Sequence, residues 1–344
     1  MSSILLESLR TWWPEVILGA GALLVMLLGA TRRSHVVWSV AWLVLIAGGI
    51  ALWRAPVSPS TGIFFGVIIC DSFSLIFRWL SLGMAALIVL MSTASTDVDP
   101  RAHGEYLGVI LGLTVGLMLM AEATHLLMAY LAIELVSLGS YALVGWGQEA
   151  RSAEASLKYF LFGALSSAIM LFGMSLLFGL TGAFSFAELS RALAGLSESM
   201  TPGLIVAVAL VFAGIAFKIS LVPFHMLTPD AYEGAPVPVA ALLSVGPKAA
   251  GLALLLRFLE VLRPVWTTLE PSLLALTILT MTFGNLVALV QTNVKRLLAY
   301  STIGQVGYVL IGVVVNSRLG LEALASDPPD LVLTDVMMPG MGGP

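Results

Sequence analysis

The sequence predicts an all-α integral membrane protein of about ten transmembrane helices. Hydrophobic residues make up 59% of the 344 residues and charged residues only 10%, where a soluble domain carries about 25% charge. The apolar residues gather into runs of roughly 20, the length a helix needs to cross a bilayer. Short segments rich in Pro, Ser, Asp and Arg separate the runs. A chain this poor in charge cannot clothe itself in polar surface, and a backbone facing lipid must satisfy its own hydrogen bonds inside helices.

The spans are expected near Pro14–Ala30, Val36–Trp53, Asp71–Ser92, Glu105–Ala121 and His125–Trp146, then near Ala155–Leu180, Gly203–Leu227, Pro238–Leu259, Pro271–Gln291 and Leu297–Asn316. Glu7 and Arg10 precede an apolar stretch long enough to span, which is unlike a cleavable signal peptide. Thr31-Arg32-Arg33-Ser34 closes the first hairpin, Arg54 to Thr61 is rich in Pro and Ser, and Asp97-Val98-Asp99-Pro100-Arg101 parts the third and fourth spans. The longest connection, Thr181 to Pro202, is expected to hold a surface helix. Ser185 and Glu188 there have the spacing of a capping box. Phe186, Leu189, Leu193 and Leu196 repeat as on an interfacial amphipathic helix. The loop charges do not orient the chain. With the N-terminus outside, Arg32, Arg33, Arg101, Arg151, Lys295 and Arg296 fall inside, and Arg10, Arg54, Arg191, Arg257, Arg263 and Arg318 fall outside.

The net charge of −4, with no basic block, argues against a nucleic-acid partner. Cys70 is the only cysteine, which excludes an internal disulfide and a cysteine-ligated iron–sulfur cluster. His35, His103, His125 and His225 lack metal-ligand spacing. The sequence thus offers no redox centre of its own.

The chemistry lies in charges set deep in the spans. A central Lys or Asp costs about 2.5–3.5 kcal/mol to insert, so each demands a partner, water or a function. Glu134 has no neutralising neighbour on its own helix and needs one from another. A carboxylate between desolvation and a nearby cation suits a proton carrier better than a static helix-to-helix ion pair. Lys218 stands five residues before Pro223, whose ring clashes with the carbonyl of Ile219 and which donates no hydrogen bond. The helix is expected to break beside Lys218, and freed carbonyls at that depth require protein or water. His225 follows seven residues after Lys218, about two turns on one face if the break does not rotate it. It reads equally as a proton relay and as a hydrogen-bonded helix-end residue. Lys248 directly follows Gly246-Pro247, so a second break beside a lysine is expected. Desolvated lysines near one another can exchange protons. Lys158 has Glu154 one turn earlier and reads as a surface pair or, about equally, as a relay. Arg78 and Asp71, two turns apart on one face, read as structural anchors. Gly163, Ser166 and Ser167 read as close helix packing.

The runs SAEASLKYFLFGALSSAIMLFG, FKISLVPFHMLTPDAYEGAPVPVAALLSVGPKAAG and NVKRLLAYSTIGQVGYVLIG resemble the antiporter-like membrane subunits of complex I, the proton-pumping NADH–quinone oxidoreductase, and their relatives in cation/proton antiporters. ELVSLGSYALVG followed by EASLKYFLFG is most similar to the subunit N branch. The resemblance covers residues 1 to about 320 and implies an antiporter-like fold with a broken helix near Pro223. It implies a glutamate–lysine pair at Glu134 and Lys218, a further proton-carrying lysine at Lys248, and relays at His225 and Lys158. It also implies proton translocation coupled to electron transfer from NADH to quinone, with no cofactor on this subunit. NADH, FMN, iron–sulfur clusters and quinone would belong to the parent complex. The implied partners are the other membrane subunits and the bilayer, in the inner (plasma) membrane of a bacterium with both termini on the periplasmic side. A multi-subunit monovalent cation/proton antiporter is the alternative.

Family members have about fourteen helices in two inverted repeats of five, so this chain holds the first repeat and about two helices of the second. By that resemblance the second broken helix, with its lysine, is expected to be missing, and an inactive truncated fusion product is a further alternative. After Gly320 the composition shifts. PDLVLTDVMMPGMGG resembles the middle of a response-regulator receiver domain, with Asp335 at the phospho-acceptor position. The acidic pair, hydroxyl residue and lysine of such a domain are missing, so Asp335 is not expected to be a working site. The division expected is a membrane domain over 1–320 and a receiver-like fragment or disordered tail over 321–344.

Overall fold

In the computed structural model the described residues are 8–57, 62–147, 149–195 and 201–326. They include twelve α-helices: α1 (Trp13–Gly29), α2 (Ser34–Arg54), α3 (Ser72–Thr93), α4 (His103–Glu122), α5 (Leu126–Val144), α6 (Ala150–Thr181), α7 (Phe186–Ala194), α8 (Thr201–Ile219), α9 (Thr228–Gly234), α10 (Val237–Val261), α11 (Trp266–Leu289) and α12 (Val294–Ser326). Nine of the described helices are long and apolar enough to cross a membrane, and α1, at 17 residues, is a shorter apolar helix. These ten match the ten expected spans. The extra two, α7 and α9, are short.

The chain divides into two compact units, Met1–Ala164 with Asp230–Gly251, and Leu165–Pro229 with Leu252–Pro344. In the first, α4 is the hub. It packs against α1, α2, α3 and α5, and 83% of its apolar window is buried. Lipid offers no hydrophobic drive for helices to associate, so close packing must hold them. Gly29 on α1 meets Gly104 on α4, where a β-carbon on Gly29 would lie 2.9 Å from the Gly104 Cα. The loop before α3 turns through Phe64, Phe65 and Gly66, all at positive φ. Single antiparallel bridges tie Ile63 to Ile68 and Ile68 to Ala123. Asp71 then caps α3, its Oδ1 accepting the Ser74 amide at 2.8 Å.

In the second unit, α7 is the expected amphipathic helix, with Phe186, Leu189 and Leu193 buried. The Phe186 ring lies 6.4 Å from that of Phe258. Ser185 occupies the N-cap position, but its side chain makes no capping hydrogen bond. The capping-box spacing is present without the bond it was expected to mark. Leu196 lies outside the described residues. The hairpin of α11 and α12 is the other main element of this unit. Here α12 continues to Ser326, six residues past Gly320. Residues 327–344, Asp335 among them, lie outside the described residues.

Candidate functional site

The expected break beside Lys218 is present. α8 ends at Ile219, one residue after Lys218. The Leu221 amide reaches back five residues to the Ala216 carbonyl at 2.8 Å. Ser220 turns the chain with φ 63, a left-handed conformation uncommon outside glycine. Proline at 223 cannot continue the hydrogen-bond ladder, so the backbone groups freed at the break need other partners. The Val222 amide donates to Thr280 Oγ1 on α11 at 3.1 Å. Thr228 Oγ1, at the start of α9, donates to Ser220 Oγ at 2.6 Å.

Lys218 is buried at 4% exposure and His225 at 7%. His225 lies in the irregular segment between α8 and α9, so helical spacing does not relate it to Lys218. Its ring stands edge-on to Phe283 at 4.7 Å. Among the described residues its Nδ1 has no hydrogen-bond partner. The Pro223 carbonyl also lies within hydrogen-bonding reach of the ring.

The second expected break is absent. α10 runs unbroken from Val237 to Val261 with Pro247 inside it. A proline within a helix removes one hydrogen bond, here to the Leu243 carbonyl, and need only kink the helix rather than end it. Lys248 thus projects from a continuous helix. It is buried at 7% exposure, and its Nζ lies 5.1 Å from the centre of the Tyr232 ring. That is within reach of a cation–π attraction.

Glu134 lies in the middle of α5, half-buried. Tyr130, one turn earlier, and Tyr141, two turns later, feel its charge. Tyr141 also meets the Tyr159 ring on α6, at 4.7 Å and 80°. Lys158 pairs with Glu154 at 2.7 Å and lies 3.8 Å from Asp230. The sequence reading missed Asp230 and Tyr232, although both lie in the PFHMLTPDAYEGAP phrase. Their partners stand 72 and 16 positions away, distances that no helical periodicity spans. The mouth of α6 is tied to α9 by Ser152 Oγ donating to the Gly234 carbonyl at 2.7 Å, and by an ion pair of Arg151 with Glu233 at 3.0 Å.

Arg78 is an anchor, but Asp71 is not the carboxylate its guanidinium grips. It pairs with Glu15 at 2.7 Å and with Glu122 at 2.9 Å, two residues the sequence reading passed over. Among the described residues no cluster of three or more His, Cys, Asp or Glu could hold a metal ion.

A multi-span bundle with a helix broken beside a buried lysine defines a membrane protein of the antiporter-like type. The profile described as NADH:quinone oxidoreductase/Mrp antiporter, transmembrane region, matches residues 123–326, and the chain belongs to that family. It is 45% identical over 320 residues to NAD(P)H-quinone oxidoreductase subunit 2 of Thermosynechococcus vestitus, covering 90% of this chain and 61% of that protein. It is 40% identical over 349 residues to NADH-quinone oxidoreductase subunit N of Anaeromyxobacter, covering 92% and 67%. The chain therefore spans about three fifths to two thirds of the length of these relatives. Among solved structures it resembles a chain of respiratory complex I from Thermus thermophilus, with TM-score 0.75 and 32% identity, covering 90% of this chain and 67% of that one. A chain of an archaeal membrane-bound sulfane sulfur reductase aligns with TM-score 0.78 at 26% identity, covering 91% and 67%. The Mrp complex of Dietzia, at TM-score 0.70 and 23% identity over 91% and 60%, shares the fold alone.

Proposed function

We propose that this chain is a subunit N-type membrane subunit of a proton-translocating NADH:quinone oxidoreductase in a bacterial inner membrane. Other membrane subunits of the complex would be its partners, and the redox cofactors would lie elsewhere in it. The observation that carries the reading is Lys218, buried at 4% exposure one residue before the end of α8. A buried lysine beside freed backbone groups favours water or protein dipoles around it, the setting in which an ammonium gains and loses a proton.

In this reading Glu134, Lys218 and Lys248 carry protons, and His225 and Lys158 relay them. Lys248 supports it with its soft partner. The Tyr232 ring face attracts an ammonium without the fixed charge of a carboxylate, so the lysine can change charge without stranding a buried counter-ion. His225 Nδ1, with no described partner, is available to accept a hydrogen bond from a proton donor. Residues 1–320 would form the working membrane domain. The receiver-like reading of 321–344 has the wording of that segment alone in its support.

The test is Lys218→Ala in a full-length background, with assembly checked and proton pumping measured against NADH oxidation. Loss of pumping in an assembled complex is expected, and pumping at wild-type stoichiometry would remove Lys218 from the path. The family profile also covers Mrp antiporters, which leaves one second reading, a monovalent cation/proton antiporter subunit. Rescue of sodium-sensitive growth with no effect on NADH oxidation would favour that reading.

A further inference from the structure

In the first unit, Glu15 on α1, Arg78 on α3 and Glu122 on α4 form a cluster that includes none of the residues of the proposed proton path. Their exposures are 1%, 2% and 0%. Glu15 takes the guanidinium's bidentate edge. Arg78 Nε donates to its Oε1 at 2.8 Å, and an Nη donates to its Oε2 at 2.7 Å and, less closely, to the Thr11 carbonyl at 3.3 Å. Glu122 Oε2 accepts the Trp12 indole N–H at 3.2 Å. Glu122 Oε1 lies 2.9 Å from Arg78 Nε, but that nitrogen has a single hydrogen and spends it on Glu15. Glu122 Oε1 is thus fully buried with no hydrogen-bond donor among the described residues.

The surrounding charges do not cure this. The Cys70 thiol, in the loop before α3, is pushed up by burial, so it stays neutral. Asp71 adds a further negative charge nearby and caps α3. One guanidinium therefore faces two carboxyl groups. Those carboxyl groups lie within hydrogen-bonding reach of each other. Two carboxylates cannot bond, since both are acceptors only, whereas a carboxylic acid donates one hydrogen. Like charges this close in a dry site do not both ionise.

We propose that Glu122 carries a proton, shared with Glu15, and that the Glu15–Arg78–Glu122 cluster is a proton-holding site separate from the lysines. With the proton in place the cluster is neutral, +1 against −1, and every buried oxygen has a hydrogen. The lone Oε1 is where the proton sits.

The test is infrared spectroscopy of the chain in lipid nanodiscs, with 13C-glutamate labelling to mark glutamate carbonyls. Wild-type protein is expected to show a free-acid carbonyl band that Glu122→Gln removes. Glu15→Gln is expected to remove it too, because Glu122 then ionises against Arg78. If one variant fails to fold, the other still gives the readout. A folded variant whose free-acid region matches wild type overturns the proposal.

Discussion

The Val222 amide donates to Thr280 Oγ1 at 3.1 Å, while the same hydroxyl donates to the Leu276 carbonyl at 2.6 Å. One fully buried hydroxyl on α11 thereby satisfies a backbone donor that the break before Pro223 sets loose. Three residues along the same helix, Phe283 carries the His225 ring. The segment between Lys218 and α9 is held by α11 as well as by its own chain.

Thr280→Val keeps the shape and removes the acceptor. A buried donor left unsatisfied costs about 1–3 kcal/mol. The variant should lose thermal stability in detergent, and Thr280→Ser should restore it. Equal stability of Val, Ser and wild type would show that the Val222 amide has found water instead.

Lys248 and Tyr232 make a second prediction. Tyr232→Phe keeps the ring face and should keep pumping near wild type. Tyr232→Leu removes an attraction of about 0.5–2 kcal/mol for the ammonium and should slow pumping in an assembled complex. Equal rates for Phe and Leu, measured by proton uptake into vesicles, would mean that the ring serves only to fill space.

What was legible in the sequence follows from how locally each feature is determined. Spans are decided by runs of neighbouring residues, and the break at Pro223 by a residue five positions from Lys218, so both could be read. Pro247 shows the limit. Both prolines remove a hydrogen bond, but only the surroundings decide whether a helix absorbs the loss, and α10 does. Ser185 had the capping spacing without the bond. Glu15 and Glu122 were passed over because each stands at a helix end, Glu15 in a first turn where an acid is ordinary and Glu122 at the edge of its apolar run. Their meaning comes from Arg78, 63 residues from Glu15. The wording of PFHMLTPDAYEGAP marked a site without revealing that Asp230 and Tyr232 would stand near Lys158 and Lys248.

Lys158 and Glu154 keep 44% and 65% of their side-chain surfaces exposed. Exposed i,i+4 pairs are worth only about 0.3–0.5 kcal/mol. Glu154→Gln should therefore leave stability unchanged and pumping intact, with Asp230 still 3.8 Å from the ammonium. Lys158→Met separates the readings of this residue. Reduced pumping at normal assembly would give it a relay role, and normal pumping would leave it a surface pair.

Arg78 should be the least replaceable charge in the first unit. Its fork meets Glu15 through two nitrogens and reaches the Thr11 carbonyl, while Glu122 lies against its edge. A lysine presents one point charge and no fork, so it cannot serve the two Glu15 oxygens with the same geometry. Arg78→Lys should destabilise the bundle, and Arg78→Leu more so, because Leu leaves two buried carboxyl groups with no cation. Breaking one side of a buried pair costs about 3–5 kcal/mol. The loss should show as reduced membrane yield and earlier aggregation on heating. Adding Glu15→Gln to Arg78→Leu removes the stranded charge and should recover part of it. The recovery is the decisive reading, since simple loss of packing at Arg78 would not be relieved by a change at Glu15.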